Sequence, residues 1–116
     1  MVKPTEKGNA VYAVAIGKLD DADYDRMLNL LRGKITTSGT VRWYFEMRDF
    51  DGWTPHAFWR DIEFDLKNKD KFERIAMVGE NKWQKAMTEF MKIFSDVDMR
   101  YFDSDRAQEA KHWLAA

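Results

Sequence analysis

The sequence predicts an α/β domain with a four- to five-stranded, mostly parallel sheet and about four helices packed on it. Short runs of β-branched and aromatic residues alternate with segments in which apolar residues recur at helical spacing. This alternation repeats four times with short connections, which favours parallel strands joined by crossover helices. With 116 residues, 45% of them hydrophobic, the chain is suited to one domain with one core. We take residues 1–116 as that domain, with residues 1–9 a lead-in segment or a short edge strand.

The first long strand is predicted at Ala10–Leu19, where a nearly continuous apolar run indicates burial on both faces of the sheet. Asp20 or Asp21 can cap the helix that follows, and the exit loop is expected at Gly39. The helix carries one apolar stripe at helical spacing, made of Tyr24, Met27, Leu28, Leu31 and Ile35.

The second strand is predicted at residues 41–47 and is followed by a turn at residues 49–53. Thr54 and Pro55 form a strong helix start, and the helix should run to about residue 67. A third strand is predicted at Phe72–Gly79. Asn81 can then cap a helix through residue 94.

The last two elements are a strand at residues 97–102 and a helix capped by Asp103 or Ser104. The inward face of that helix is predicted to consist of Ala107, Ala110, Trp113 and Leu114.

Composition excludes several classes of function. There are 19 basic and 20 acidic residues, so no global positive field attracts nucleic acid. The absence of Cys excludes disulfides and thiolate catalysis. No apolar run approaches the ~20 residues of a membrane span, and no signal peptide is recognisable. We therefore expect a cytoplasmic protein, with a peripheral position at the inner membrane face as a variant of that expectation.

The sequence offers little chemistry for catalysis. Gly79 is a single glycine between strand and helix, and it does not make a phosphate-cradling loop. Asp49, Asp51 and His56 could form an acid–base or metal cluster, but a third ligand and an orienting partner are not evident. We expect no catalytic residue, no metal and no cofactor. An enzyme that uses these three residues is kept as an alternative hypothesis.

A surplus of large apolar side chains in the two middle helices indicates binding. If the helices at 55–67 and 81–94 flank a gap above the sheet, that gap is an apolar pocket for a small lipophilic ligand. If they do not, the surplus forms an exposed patch for a membrane surface or a second copy of the chain in a homodimer. Ordinary amphipathic packing on the sheet is the simpler interpretation. The candidate ligand-binding residues are Trp53, Phe58, Trp59, Ile62, Trp83, Met87, Phe90, Met91 and Phe94.

Four segments together give the chain a family likeness. They are residues 17–25 at the first strand-to-helix turn, residues 49–59 with Phe58 and Trp59, residues 72–83 with Lys82 and Trp83, and the ending from Tyr101 to Leu114. Over roughly residues 10–115, the set resembles the SpoIIAA-like proteins of STAS-type fold.

The resemblance implies a sheet of four or five strands with helices packed on it, similar in shape to lipid-binding domains of the Sec14 (CRAL-TRIO) type. It also implies binding of small apolar ligands or membrane association, without an established enzymatic activity. Anti-sigma-factor antagonists of the STAS superfamily carry an Asp-Ser-Ser/Thr-Gly-like phosphorylation motif where this chain has residues 52–55, Gly-Trp-Thr-Pro. A helix cap explains Thr54 without phosphorylation. We therefore expect a noncatalytic binding domain, and the alternative is a STAS-like protein-interaction or regulatory module without that motif.

Overall fold

The computed structural model describes residues 1–53, 70–80 and 97–116, with the backbone alone at residues 50–53. Five strands in this part of the chain form one sheet in the order β1-β2-β3-β4-β5. Strand β1 is antiparallel to β2, and the other three pairings are parallel. This confirms the predicted α/β class and the mostly parallel sheet. The strands are β1 (Val2–Lys7), β2 (Ala10–Leu19), β3 (Val41–Trp53), β4 (Phe72–Gly79) and β5 (Asp98–Asp103).

Two α-helices lie in the described part of the chain, fewer than the four predicted from the sequence. Helix α1 spans Asp21–Ser38, and helix α2 spans Ala107–Ala115 after a 3₁₀ turn at Ser104–Arg106. The helices predicted at residues 55–67 and 81–94 fall outside the described residues. No described helix is both long and apolar enough to cross a lipid bilayer.

A reciprocal capping interaction between Asp20 and Asp23 begins α1. Oδ1 of Asp20 accepts a hydrogen bond from the backbone N–H of Asp23 at 2.8 Å, and Oδ2 of Asp23 accepts one from the backbone N–H of Asp20 at 3.1 Å. The other carboxylate oxygen of Asp23 accepts the backbone N–H of Val2 at 3.1 Å. The buried Asp23 side chain therefore joins β1 to the start of α1. The N-cap residue of α1 is Asp20, one of the two residues that the sequence predicts for that position.

The main core lies between α1 and one face of the sheet. The predicted stripe of α1 is buried there, with Ile35 partly buried at its end. The helix stops at Gly39, whose φ of 81° is a left-handed conformation that glycine adopts without steric cost. Its N–H donates to the carbonyl oxygen of Ile35 at 2.9 Å. On the sheet side, the largest side chains of this core are Trp43, Phe45, Met47, Ile75 and Met77.

Helix α2 packs on the opposite face of the sheet. Its inward residues Ala110 and Leu114 are fully buried, and Ala107 and Trp113 pack beside them partly buried, as the spacing predicts. The sheet residues of this second cluster are Tyr44, Ala76, Val78 and Phe102. The two clusters therefore sit on the two faces of one sheet, with α2 over β3, β4 and β5.

Strand β1 is an edge strand joined to β2 by a tight hairpin. Gly8 and Asn9 form the two-residue loop, and Gly8 has a φ of 59°, which such loops require at their first position. The pairing places Lys3 opposite Val14 and Thr5 opposite Tyr12. The polar residues at the beginning of the chain thus form one border of the sheet.

The turn predicted at residues 49–53 is wrong, because β3 continues through Trp53 alongside β2. Register shifts on either side of Gly17 place extra β3 residues in this stretch, and Asp49 has a φ of 43°. An irregularity of this kind accommodates Asp and Gly without ending the strand. The turn-forming composition at 49–53 therefore marks a bulged extension of β3.

Two smaller expectations also fail. Neither Asp103 nor Ser104 caps α2, because the chain first makes the 3₁₀ turn and no side-chain hydrogen bond caps either helical segment. Strand β2 is not buried on both faces within the described structure. Its residues Tyr12, Val14 and Ile16, on the face of α2, are only partly buried.

Asp23 also makes the stability of the fold depend on pH. Burial alone acts to raise the pKa of Asp23, but hydrogen bonds from the backbone of Asp20 and Val2 outweigh it and hold the pKa below its ordinary value of 3.8. Its pKa is therefore lower in the folded than in the unfolded chain. The stabilisation from Asp23 is complete above about pH 4 and is lost as the pH falls through the folded-state pKa.

We predict that Asp23→Asn lowers the free energy of unfolding by about 1–3 kcal/mol at neutral pH, because an amide nitrogen cannot accept the backbone N–H that a carboxylate oxygen accepts. Urea unfolding at a series of pH values measures the difference, which should shrink below about pH 4. The exposed Asp25→Asn exchange on the same helix is the control and should change little. A D23N deficit that stayed constant from neutral to acidic pH would contradict this account.

Candidate functional site

A groove lies beside α2 on the open part of its sheet face. The floor consists of alternate residues of β2, namely Tyr12, Val14 and Ile16, together with Tyr44 of β3. Side chains alternate between the two faces of a strand, so the β2 residues between these are buried in the main core. At ~3.3 Å per residue, the floor from Tyr12 to Ile16 is about 13 Å long.

The walls of the groove come from the edge strand and the last helix. Strand β1 supplies one wall through Lys3, Thr5 and Lys7, and Arg48 of β3 lies at the rim. The volume is about 610 Å³, which is within the usual range of sites for small molecules. The other wall is α2, through Gln108, Lys111, His112 and Ala115.

The groove is locally basic. Among the described residues, its lining includes four Lys or Arg residues and no Asp or Glu, although the whole chain carries a formal net charge of −1. Within the described ranges, Lys3, Lys7 and Lys111 form no salt bridge. The ammonium group of Lys111 lies 5.5 Å from the ring centroid of Tyr44, at the distance of a cation–π contact. The lining thus combines an apolar floor with uncompensated positive charge.

A buried carboxylate organises the polar end of the groove. Glu46 is 4% exposed; one of its oxygens accepts a hydrogen bond from the hydroxyl of Tyr44, and the other accepts one from Nε of Arg48. Burial, followed by the hydrogen bond to Glu46, raises the pKa of Tyr44, so its hydroxyl remains protonated. Because both oxygens are occupied, Glu46 holds Tyr44 and Arg48 in place and is not arranged as a free base for a ligand.

The two tyrosines on the floor are packed together. The ring centroids of Tyr12 and Tyr44 are 5.6 Å apart, with the ring planes inclined by 42°, a favourable offset arrangement for aromatic pairs. Tyr44 is fully buried while Tyr12 is partly exposed. The pair therefore gives the centre of the floor a fixed aromatic surface.

Two arginines hold α2 in position over the sheet, and we call Arg42 and Arg74 the arginine clamp. Nη1 of Arg42 donates to the carbonyl oxygen of Leu114 at 2.6 Å, and Nη1 of Arg74 donates to that of Trp113 at 2.7 Å. Carbonyl groups in the last turn of a helix have no partner within the helix, and the helix dipole favours cations there. The clamp therefore fixes the C-terminal end of α2, and with it one wall of the groove.

The clamp is itself held by acidic partners and by an aromatic ring. Nε of Arg42 is 2.7 Å from Oε2 of Glu73. Hydrogen bonds from Thr40 and then from Arg42 lower the pKa of Glu73. The guanidinium carbon of Arg74 lies 5.2 Å from the ring centroid of Trp113, so Arg74 contacts both the backbone and the side chain of that residue.

Comparison with known proteins identifies the family. A family model described as SpoIIAA-like matches residues 10–115, nearly the whole chain. The chain belongs to the SpoIIAA-like family.

The fold of this SpoIIAA-like chain is also similar to a solved crystal structure. That structure is an uncharacterized protein from the DUF3478 family, with a SpoIIAA-like fold, from Shewanella loihica PV-4. It is 26% identical to this chain, the match covers 98% of this chain and 92% of that one, and the TM-score is 0.68. No curated protein matches the chain. The comparisons thus establish the SpoIIAA-like fold that the sequence resemblance implied.

The ligand-binding residues predicted from the sequence of this SpoIIAA-like chain stay predictions. Trp53 ends β3, and only its backbone is described. The other eight lie outside the described residues: Phe58, Trp59 and Ile62 fall within residues 54–69, and Trp83, Met87, Phe90, Met91 and Phe94 fall within residues 81–96.

The structure gives no support to the catalytic or metal-binding cluster hypothesised from Asp49, Asp51 and His56. Asp49 is exposed at the bulge of β3, Asp51 has only its backbone described, and His56 lies outside the described residues. Among the described residues, no group of three or more His, Cys, Asp or Glu could hold a metal ion. Gly79 has a packing role, since a Cβ atom there would lie 3.0 Å from Cε of Met47.

The sequence did contain a signal for the groove. The apolar run of β2 supplies residues for both faces, while the paired β1 residues Lys3, Thr5 and Lys7 are polar. An apolar strand beside a polar edge strand indicates a face that the edge does not cover. His112, for which the sequence pattern gave no functional signal, also lines the groove.

We predict that Arg42→Gln lowers the free energy of unfolding by about 1–3 kcal/mol, because it removes charge-assisted hydrogen bonds to Leu114 and Glu73. Hydrogen exchange should accelerate in α2 more than in α1, since the loss lies at the end of α2. Arg106→Gln, which removes an exposed ion pair with Glu109 and a guanidinium 5.7 Å from the ring centroid of Phe102, is the control and should change stability less. Unchanged exchange in α2 of the R42Q variant would refute the clamp.

Proposed function

We propose that this SpoIIAA-like protein is a noncatalytic binding domain that holds a small lipophilic molecule in the groove. The observation that carries the proposal is the half-buried apolar column of Tyr12, Val14 and Ile16 at the bottom of a cavity of about 610 Å³. Apolar side chains in a concave site are the usual basis of small-molecule binding, because a ligand there removes apolar area from water.

The residues that hold the groove in shape make it suitable for binding without catalysis. Each oxygen of the buried Glu46 carboxylate already accepts a hydrogen bond, one from Tyr44 and one from Arg48. The clamp on α2 and the aromatic pair under it keep the groove formed without a ligand, which lowers the entropy lost on binding.

A concave groove favours one small molecule over a membrane surface. Membrane association by an interfacial helix would depend on the helix predicted at residues 81–94, which lies outside the described residues. The alternative of a STAS-like interaction module makes a different prediction, namely that polar substitution in the groove leaves partner binding unchanged.

Native mass spectrometry of the purified protein is the first test, with an apolar molecule of low mass expected to accompany the chain. Sedimentation with liposomes is the companion measurement. Stable vesicle binding without a bound small molecule would favour membrane association. Absence of a bound molecule, together with no binding of added 1-decanol, would refute the proposal.

We predict that Val14→Thr weakens binding of 1-decanol roughly fivefold or more, because the new hydroxyl must lose water, which costs about 1 kcal/mol or more. Thr is β-branched and nearly isosteric with Val, and position 14 is only partly buried, so the sheet should tolerate it. Val14→Ile is the matched control, since it keeps the position apolar. Titration followed by NMR of backbone amides measures both variants, and equal affinity for V14T and V14I would exclude the floor from the site.

A further inference from the structure

The positive charge of the groove walls indicates the chemical class of the ligand, and this inference rests on the proposed function. Lysines lie on both walls: Lys3 and Lys7 on β1, and Lys111 on α2. Arg48 already donates to Glu46, so these three supply the uncompensated charge. Among the described residues these three ammonium groups have no acidic partner, and an anionic head group would gain charge-assisted hydrogen bonds from them that a neutral ligand cannot make.

We propose that the ligand is a single-chain amphiphile with an anionic head group of the fatty-carboxylate type. The chain lies along the apolar floor, and Lys3 and Lys111 hold the head group from opposite walls. Three separate properties of the groove lead to this assignment: its shape, its charge and its size.

The shape is that of a trough along β2. The groove continues past Tyr12 into a second depression of about 360 Å³, which shares Lys7, Tyr12 and Ala115 with it and reaches Ala10. From Ala10 to Ile16 the trough is about 20 Å long at ~3.3 Å per residue. A trough of this length suits an extended aliphatic chain, because Tyr12, Val14 and Ile16 form an apolar floor, while Asn9 and Arg42 line its far end.

Charge and size exclude a second copy of the chain as the occupant. In a symmetric dimer the same patch faces itself, so two sets of Lys3, Lys7 and Lys111 would meet in one interface, with no acidic residue in the described lining to offset them. A cavity of about 610 Å³ also holds a small molecule and not a macromolecular surface. Charge complementarity therefore favours a small anion.

Three probes separate the inference from the proposed function: decanoate, 1-decanol and acetate, each titrated into the intact protein and followed by backbone amide shifts. We expect decanoate to shift residues of β1, β2 and α2 and to bind about tenfold or more tightly than decanol, with acetate undetected at the same concentrations. Added salt should weaken binding of decanoate and leave that of decanol unchanged, because only the former has a charge to screen.

Substitutions of the wall lysines test whether they bind the head group of decanoate. Lys3→Gln and Lys111→Gln should each weaken binding of decanoate several-fold and leave that of decanol unchanged. Lys71→Gln, an exposed lysine away from the groove, is the matched control. Because Lys3 is exposed on an edge strand, K3Q provides the test even if K111Q disturbs α2.

Each negative result contradicts a different part of the proposal. Equal binding of decanoate and decanol would overturn the anionic head group while a lipophilic site remained. Binding of acetate as tight as that of decanoate would overturn the amphiphile in favour of a simple anion site. If neither decanoate nor decanol bound, the proposed function itself would be refuted.

Discussion

The position of α2 depends on the arginine clamp, and the groove depends on the position of α2. Arg42 and Arg74 occupy the first part of two parallel strands, on the same face of the sheet, where α2 ends. Helix carbonyls that would otherwise require water are satisfied by charged donors. The sheet thereby anchors the helix over β3, β4 and β5. Among the described elements, the β1–β2 side of that face is left as an apolar surface between β1 and α2.

Strand β2 has two roles because its two faces have different neighbours. One face is buried in the core with α1, where small side chains such as Ala13 and Ala15 allow the helix to approach closely. The other face has Tyr12, Val14 and Ile16, which are larger and only partly covered. The period of two along a strand thus separates residues that stabilise the fold from residues available for binding.

Local pattern predicted most of the described fold. The bounds of β2 and β4 and the stripe and cap of α1 were predictable because each depends on residues close together in sequence. The extension of β3 was missed because Asp and Gly at 49–53 have the composition of a turn, whereas pairing with β2 decides their conformation. The apolar β2 beside the polar β1 indicates an uncovered face, but the groove as a whole could not be predicted. It combines β1, β2, β3 and α2, whose arrangement depends on Arg42 contacting Leu114 across more than half the chain.

Some of the groove walls consist of side chains on which the fold does not depend. Thr5, Gln108 and His112 are exposed, and exchanges at such positions ordinarily alter stability by less than about 0.5 kcal/mol. None of these three residues belongs to the cores on the two faces of the sheet, whereas Tyr44 of the floor does. Substitutions at these three positions can therefore change the chemistry of the groove walls while leaving both cores intact.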